Sequence, residues 1–134
     1  MPNWIRNKLD VNFNLVSDNI ENRKKCVNNF IEKIMTNIKY PDGDKKIFDF
    51  NKIVKSPYNS DTDENYQEKQ EWRIKNWGTK WNSSNCFISI DKNFYKNISI
   101  LYDTANSSPT FIIKKLKQMF PVLSITNKHI YQGD

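Results

Sequence analysis

The side chains able to perform covalent or proton-transfer chemistry are few and scattered. The 134 residues include one histidine, His129, and two cysteines, Cys26 and Cys86. A small nuclease would need an imidazole to move protons, or paired carboxylates to hold a metal ion. His129 stands in Leu123–Tyr131, the expected last strand, and reads as a strand-edge residue. Asp10, Asp91 and Asp103 fall near the ends of predicted strands and could converge there, but no spacing demands it. The cysteines lack metal-ligand spacing and lie within apolar patterns, so they read as buried, reduced thiols. There is no P-loop, nucleophile elbow or dinucleotide-binding glycine pattern. The expectation is a protein without cofactor or metal, and an enzyme is the weaker functional class.

Contact chemistry is better supplied. Lys and Arg outnumber Asp and Glu by 21 to 15, a net charge of +6, which suits nucleic acid or an acidic protein face equally. Three of the four Trp residues, Trp72, Trp77 and Trp81, crowd into Glu-Trp-Arg-Ile-Lys-Asn-Trp-Gly-Thr-Lys-Trp-Asn, residues 71–82. Indole rings can stack on bases, yet they also bury more area than any other side chain. A structural role is expected for Trp72, Asn76, Trp77, Gly78 and Thr79, with Asn76 and Thr79 bonding turn amides. The residues expected to touch a partner or nucleic acid are Arg6, Lys8, Arg73, Lys75, Lys80, Trp81, Lys114, Lys115 and Lys117. Lys45, Lys46, Lys52 and Lys55 read as a solvated face. The aromatic run by which an RNA-recognition motif stacks bases on its central strands is absent.

The elements that must position these groups can be read from periodicity. Residues 4–15 alternate, with Ile5, Leu9, Val11, Phe13 and Leu15 on one parity and Arg6, Lys8, Asp10 and Asn12 on the other, predicting a strand with one dry and one wet face. Ser17 is a possible N-cap for a long amphipathic helix whose stripe runs from Ile20 through Val27, Phe30, Ile31, Ile34 and Met35 to Ile38. Pro41 to Asp44 make a turn. Ile47 to Val54 form a short strand or an extended segment, and Tyr58 to Asn65 an acidic loop with Asp61 and Asp63. Tyr66 to Trp77 has helical spacing that Gly78 can end. Cys86–Ile90 and Ile98–Tyr102 alternate across a short connection, predicting a hairpin. Ser107 or Ser108 with Pro109 opens a helix over 110–120, and Pro121 ends it.

Removing the segment at about 39–82 leaves βαββαβ: an α+β, ferredoxin-like antiparallel sheet with two helices on one face and an insertion after the first helix. One domain over 1–134 accommodates it. The insertion should be docked, because Phe48, Phe50, Ile53, Trp72, Ile74 and Trp77 would otherwise expose a large apolar area. No apolar run approaches the roughly 18 residues that span a bilayer, and the start Met-Pro-Asn-Trp-Ile-Arg lacks a signal-peptide pattern. A cytoplasmic protein with no membrane partner is expected.

Pro2-Asn3-Trp4, Phe48-Asp49-Phe50-Asn51-Lys52-Ile53-Val54 with Pro57, Asn76-Trp77-Gly78-Thr79-Lys80-Trp81-Asn82, and Asp103-Thr104-Ala105 with Pro109 occur in this order. Together they resemble the YubB-like ferredoxin-like family carried by bacterial plasmids and phages, over nearly the whole chain. The resemblance implies a ferredoxin-like fold and a mobile-element origin, and brings no catalytic residues with it. One departure is visible: where relatives tend to carry Trp and a Pro pair after Asp-Thr-Ala, this chain has Asn106-Ser107-Ser108-Pro109. With the charge and the thin catalytic stock, it suggests a non-enzymatic protein that docks on a host nucleic-acid-handling protein or ribonucleoprotein. Inhibition of a defence nuclease, such as a CRISPR effector, is one form such docking can take. The alternative is a small nuclease or RNA-binding module on the same fold.

Overall fold

A computed structural model describes residues 3–58 and 64–130, and the statements below concern those residues. Asp61, Asp63, Pro2 and Tyr131 lie outside them.

The elements in chain order are β1 (Trp4–Asn12), α1 (Ile20–Ile34), β2 (Met35–Tyr40), β3 (Gly43–Phe48), a 3-10 turn (Phe50–Lys52), α2 (Tyr66–Trp77), β4 (Ser84–Ile90), β5 (Asn97–Ala105), α3 (Thr110–Met119) and β6 (Ser124–Ile130). Four strands form an antiparallel sheet in the order β4-β5-β1-β6, while β2 and β3 make a separate two-stranded sheet. The fold is α+β; its three α-helices include the one expected over Tyr66–Trp77, while the inserted segment forms the β2–β3 hairpin and a 3-10 turn in place of the single short strand or extended segment expected at 47–54.

The dry parity of β1 puts Leu9, Val11 and Phe13 into the core with Ile98, Ile100 and Tyr102 of β5 and Ile125 of β6. Against that face pack Val27, Phe30 and Ile34 of α1 and Ile112 and Leu116 of α3, both helices presenting one apolar stripe. The inserted segment docks on the same core. Phe48 meets the Tyr102 ring edge-on at 5.1 Å, and Phe50 meets Trp77 at 5.6 Å. Two residues of that expectation fail: Ile74 stays 51% exposed, and Trp72 is only partly buried. Residues Asp10, Lys8, Arg6 and Ser99 occupy the opposite face of the sheet, which no helix covers.

Three boundaries differ from the sequence reading. Leu15 leaves the strand and is 81% exposed, because β1 stops at Asn12 and turns through residues 14–16. Asn19, rather than Ser17, caps α1, its side chain accepting from the amides of Glu21 at 2.8 Å and Asn22 at 3.3 Å. Ser17 Oγ accepts from the Asn19 amide instead. The helical spacing of Met35 and Ile38 is coincidental, since Met35 already has extended backbone (φ −110°, ψ 149°) and starts β2. That strand pairs with β3 across the two-residue turn at Pro41 and Asp42, with Tyr40 opposite Gly43, so the insertion begins four residues before the expected position 39.

Candidate functional site

The block at 71–82 resolves into an anchor. Trp77 is 1% exposed, and its indole N–H donates to Val54 O at 2.8 Å, so its one polar group is satisfied inside. Gly78 ends α2 in the left-handed region (φ 95°), its amide reaching Arg73 O and Ile74 O. A Cβ there would stand 2.8 Å from Thr110 N and 3.0 Å from Ser108 O, so glycine is required both by dihedral and by the close approach of α3. Thr79 is fully buried and its hydroxyl donates to Ala105 O at 2.8 Å. Asn76 Nδ2 donates to Trp72 O at 2.8 Å. Both side chains therefore serve carbonyls, correcting the expectation of turn amides: Asn76 bonds back to the carbonyl four residues earlier in α2, and Thr79 ties the exit of the helix to the end of β5.

Beyond this anchor the chain emerges beside the open sheet face. Trp81 lies 5.7 Å from Trp4, the first residue of β1, and Lys80 Nζ sits 4.8 Å above the Trp81 ring. On the wet parity of β1, Arg6 donates to Asp103 Oδ1 at 3.1 Å and to Asn85 O at 3.2 Å, and lies 5.4 Å over the Phe87 ring. Asn85 Nδ2 bonds the other Asp103 oxygen at 3.2 Å, so the carboxylate is neutralised and held. Lys8 lies 3.8 Å from Asp10, whose other partner is Ser99 Oγ at 2.7 Å. At this exposure the Lys8–Asp10 pair is weak and its ammonium is available to a partner.

Between this face and the β2–β3 hairpin runs a groove of about 930 Å3, lined by Trp4, Phe87 and Ile88 on one side and Ile38, Tyr40 and Ile47 on the other. Lys45 is also on its wall and lies 5.4 Å over the Tyr40 ring. The groove closes where Phe48 approaches β4: the Phe48 amide is bonded by Cys86 Sγ at 3.4 Å and its carbonyl by Ser83 Oγ. Cys86 is half-buried rather than buried, as is Cys26. Burial pushes the Cys86 thiol above its ordinary range, outweighing the hydrogen bonds from Ser83 and Phe48 that favour the thiolate. A thiol shifted in this direction keeps its proton, the opposite of what a nucleophile needs.

Comparison with known proteins gives no match to any family model, curated protein or solved structure.

The contact residues named from the sequence do not form one surface. Arg6 and Lys8 share the open face, and Lys80 and Trp81 stand at its Trp4 end. Arg73 is half-buried, 5.6 Å over the Trp77 ring, and Lys75 is exposed on the last turn of α2. Lys114, Lys115 and Lys117 are exposed on α3, which packs on the other face of the sheet. Asp10, Asp91 and Asp103 do not converge: Asp91 instead accepts from the amides of Asn93, Phe94 and Lys96 in the β4–β5 turn. Sequence reasoning missed Trp4, Tyr40, Phe87 and Lys45 as site residues. Phe87 did carry a signal, being the one large apolar residue on the wet parity of β4.

Proposed function

We propose that this protein is a non-enzymatic binding protein of a phage or plasmid, acting by occupying a surface of a host nucleic-acid-handling protein or ribonucleoprotein in the cytoplasm. One observation carries the reading. Around a single groove stand Trp4, Tyr40 and Phe87, exposed by 40, 44 and 59%, and cations lie over the Tyr40 and Phe87 rings and over Trp81 beside Trp4. Aromatic and Arg side chains concentrated in a concave, partly apolar patch are what interface hot spots use. The chain's own polar groups compensate Asp103, leaving the patch with surplus positive charge for an acidic face. Inhibition of a defence nuclease such as a CRISPR effector fits an occupancy mechanism, because blocking a surface needs no chemistry.

The fold is read as ferredoxin-like with the β2–β3 hairpin and α2 as insertion. What supports this is that β1 and β4 flank β5, while β5 and β6 flank β1. Each β-α-β unit is thus split by a strand of the other. The mobile-element origin rests on the YubB-like resemblance of residues 48–54 and 76–82.

The test is capture of a host partner by the full chain with and without nuclease treatment, compared with R6E/K8E and W4A/F87A variants. A stoichiometric protein partner retained after nuclease and lost in both variants is the expected result, with affinity falling as salt rises. Capture that vanishes on nuclease treatment replaces the protein partner by RNA. Turnover of RNA by the purified chain overturns the non-enzymatic reading.

A further inference from the structure

On the helix-covered side of the sheet, at the β6 edge, α3 and β6 enclose a second cleft of about 370 Å3. Its wall carries Lys114, Lys117 and His129, the hydroxyls of Ser108 and Thr110, and the amide of Asn127. No carboxylate is among the described lining residues. Two of the lysines named from the sequence thus meet the histidine that sequence reasoning set aside as a strand-edge residue.

A buried polar relay holds this wall. Asn7, fully buried on β1, donates from Nδ2 to Ile5 O at 3.1 Å and to Thr104 Oγ1 at 2.9 Å. Thr104 spends its own proton on Ser107 O at 2.7 Å, so it must accept from Asn7, which fixes the Asn7 amide orientation. Asn7 Oδ1 then accepts from Asn127 Nδ2 at 3.2 Å and from Ser108 Oγ at 2.8 Å. Asn127 Oδ1 accepts in turn from the buried Tyr102 hydroxyl at 2.6 Å.

A serine hydroxyl has one proton. Ser108 gives its proton to Asn7, so toward His129, which also bonds Ser108 Oγ, it can only accept. The proton of that contact therefore belongs to His129 Nε2. Two consequences follow. Ser108 is not a nucleophile activated by His129, since the ring nitrogen facing it is a donor. And His129 has only Nδ1 left to face a ligand, on a wall that otherwise offers ammonium groups, hydroxyls and an amide. Burying Asn7 in the core costs desolvation unless every polar atom is paired. The backbone ladder already registers β1 on β6; the relay continues beyond it to Ser108 and thereby sets the cleft wall.

We propose that this cleft binds a phosphate group, with Lys114 and Lys117 supplying charge, the Thr110 hydroxyl and the second Asn127 amide proton donating to its oxygens, and Ser108, its proton committed to Asn7, holding the wall in place. The geometry is that of a binding site, separate from the aromatic groove. A free phosphate ester and a nucleic-acid backbone offer the same chemistry, and the test distinguishes them.

The experiment is titration of the isotope-labelled full chain by NMR with inorganic phosphate, a nucleoside 5′-monophosphate and a short oligothymidylate. Saturable shifts confined to residues around Ser108, Thr110 and His129 are expected with at least one probe. K114Q/K117Q, which alters only exposed side chains, should weaken that binding by about tenfold or more while the spectrum remains folded. Saturation by phosphate and the monophosphate assigns a free ester as ligand; saturation by the oligonucleotide alone assigns a nucleic-acid backbone. No saturable shift with any probe, or binding unchanged in K114Q/K117Q, overturns the proposal. Nitrogen-15 spectra of the ring give an independent check: a neutral His129 protonated at Nδ1 would refute the relay from which the cleft wall was derived.

Discussion

Two aromatic clusters in this molecule serve opposite purposes. Trp77, with Phe50 and Phe48, is enclosed: its ring edge meets Phe50, its N–H reaches Val54 O, and nothing of it remains for a partner. Trp4, Phe87 and Tyr40 bracket an open groove and stay partly exposed, each with a neighbouring ring or cation against it. Density of aromatics along the chain therefore does not mark a contact surface. What separates anchor from contact is whether the ring's edge and polar handle are already used inside the fold.

The sharpest way to break this comparison is Trp77→Ala, expected to destabilise the fold by about 3–5 kcal/mol, the cost of truncating a buried aromatic, measured by denaturant unfolding. A loss below about 1 kcal/mol with a folded product would move Trp77 to the contact class. Next comes Gly78→Ala, expected to cost about 1–3 kcal/mol from the left-handed backbone and more from the collision with α3. On the groove side, Phe87→Ala should leave unfolding within about 1 kcal/mol of wild type, yet weaken partner binding by about 2 kcal/mol, as a hot-spot ring does. A large stability loss there would make Phe87 a second anchor.

The smallest effect lies at alkaline pH. Burial raises the Tyr102 phenol well above 10.0 and the Cys86 thiol above 9.0. In the unfolded chain these groups ionise at their ordinary values while the folded chain resists, so stability is full below pH 9.0 and falls as pH rises past it. Thermal melts across that range should show the decline, and Cys86→Ser should postpone its onset. An unchanged slope in the variant would mean the thiol is solvated.

Much of the fold was legible where local rules decide. Tyr66–Trp77 and Gly78 were placed by helical spacing and a glycine stop, and β4 with β5 by alternation across a short turn. The β2–β3 hairpin was not. Ile34, Met35 and Ile38 keep the helical period, and Lys45 and Lys46 break the alternation of β3, so only pairing between the two strands reveals them. Arg6 and Lys8 were legible as a wet strand parity. That Tyr40 and Lys45 face Trp4 and Phe87 across a groove depends on how the hairpin docks, which no periodicity encodes. His129 reads as a strand-edge residue in sequence because its partner Ser108 lies on another element.

The closure at Phe48 has a further consequence, for solubility. An unpaired edge strand is a template on which a second molecule can add and polymerise. β4 is such an edge, and the β2–β3 hairpin lies along it. Because Ser83 and Cys86 side chains, and not the β4 backbone, take the Phe48 carbonyl and amide, the two sheets abut without fusing. The hairpin thus acts as a guard rail: it obstructs stacking on β4 while keeping its own outermost strands short and, at Lys39, Lys45 and Lys46, charged.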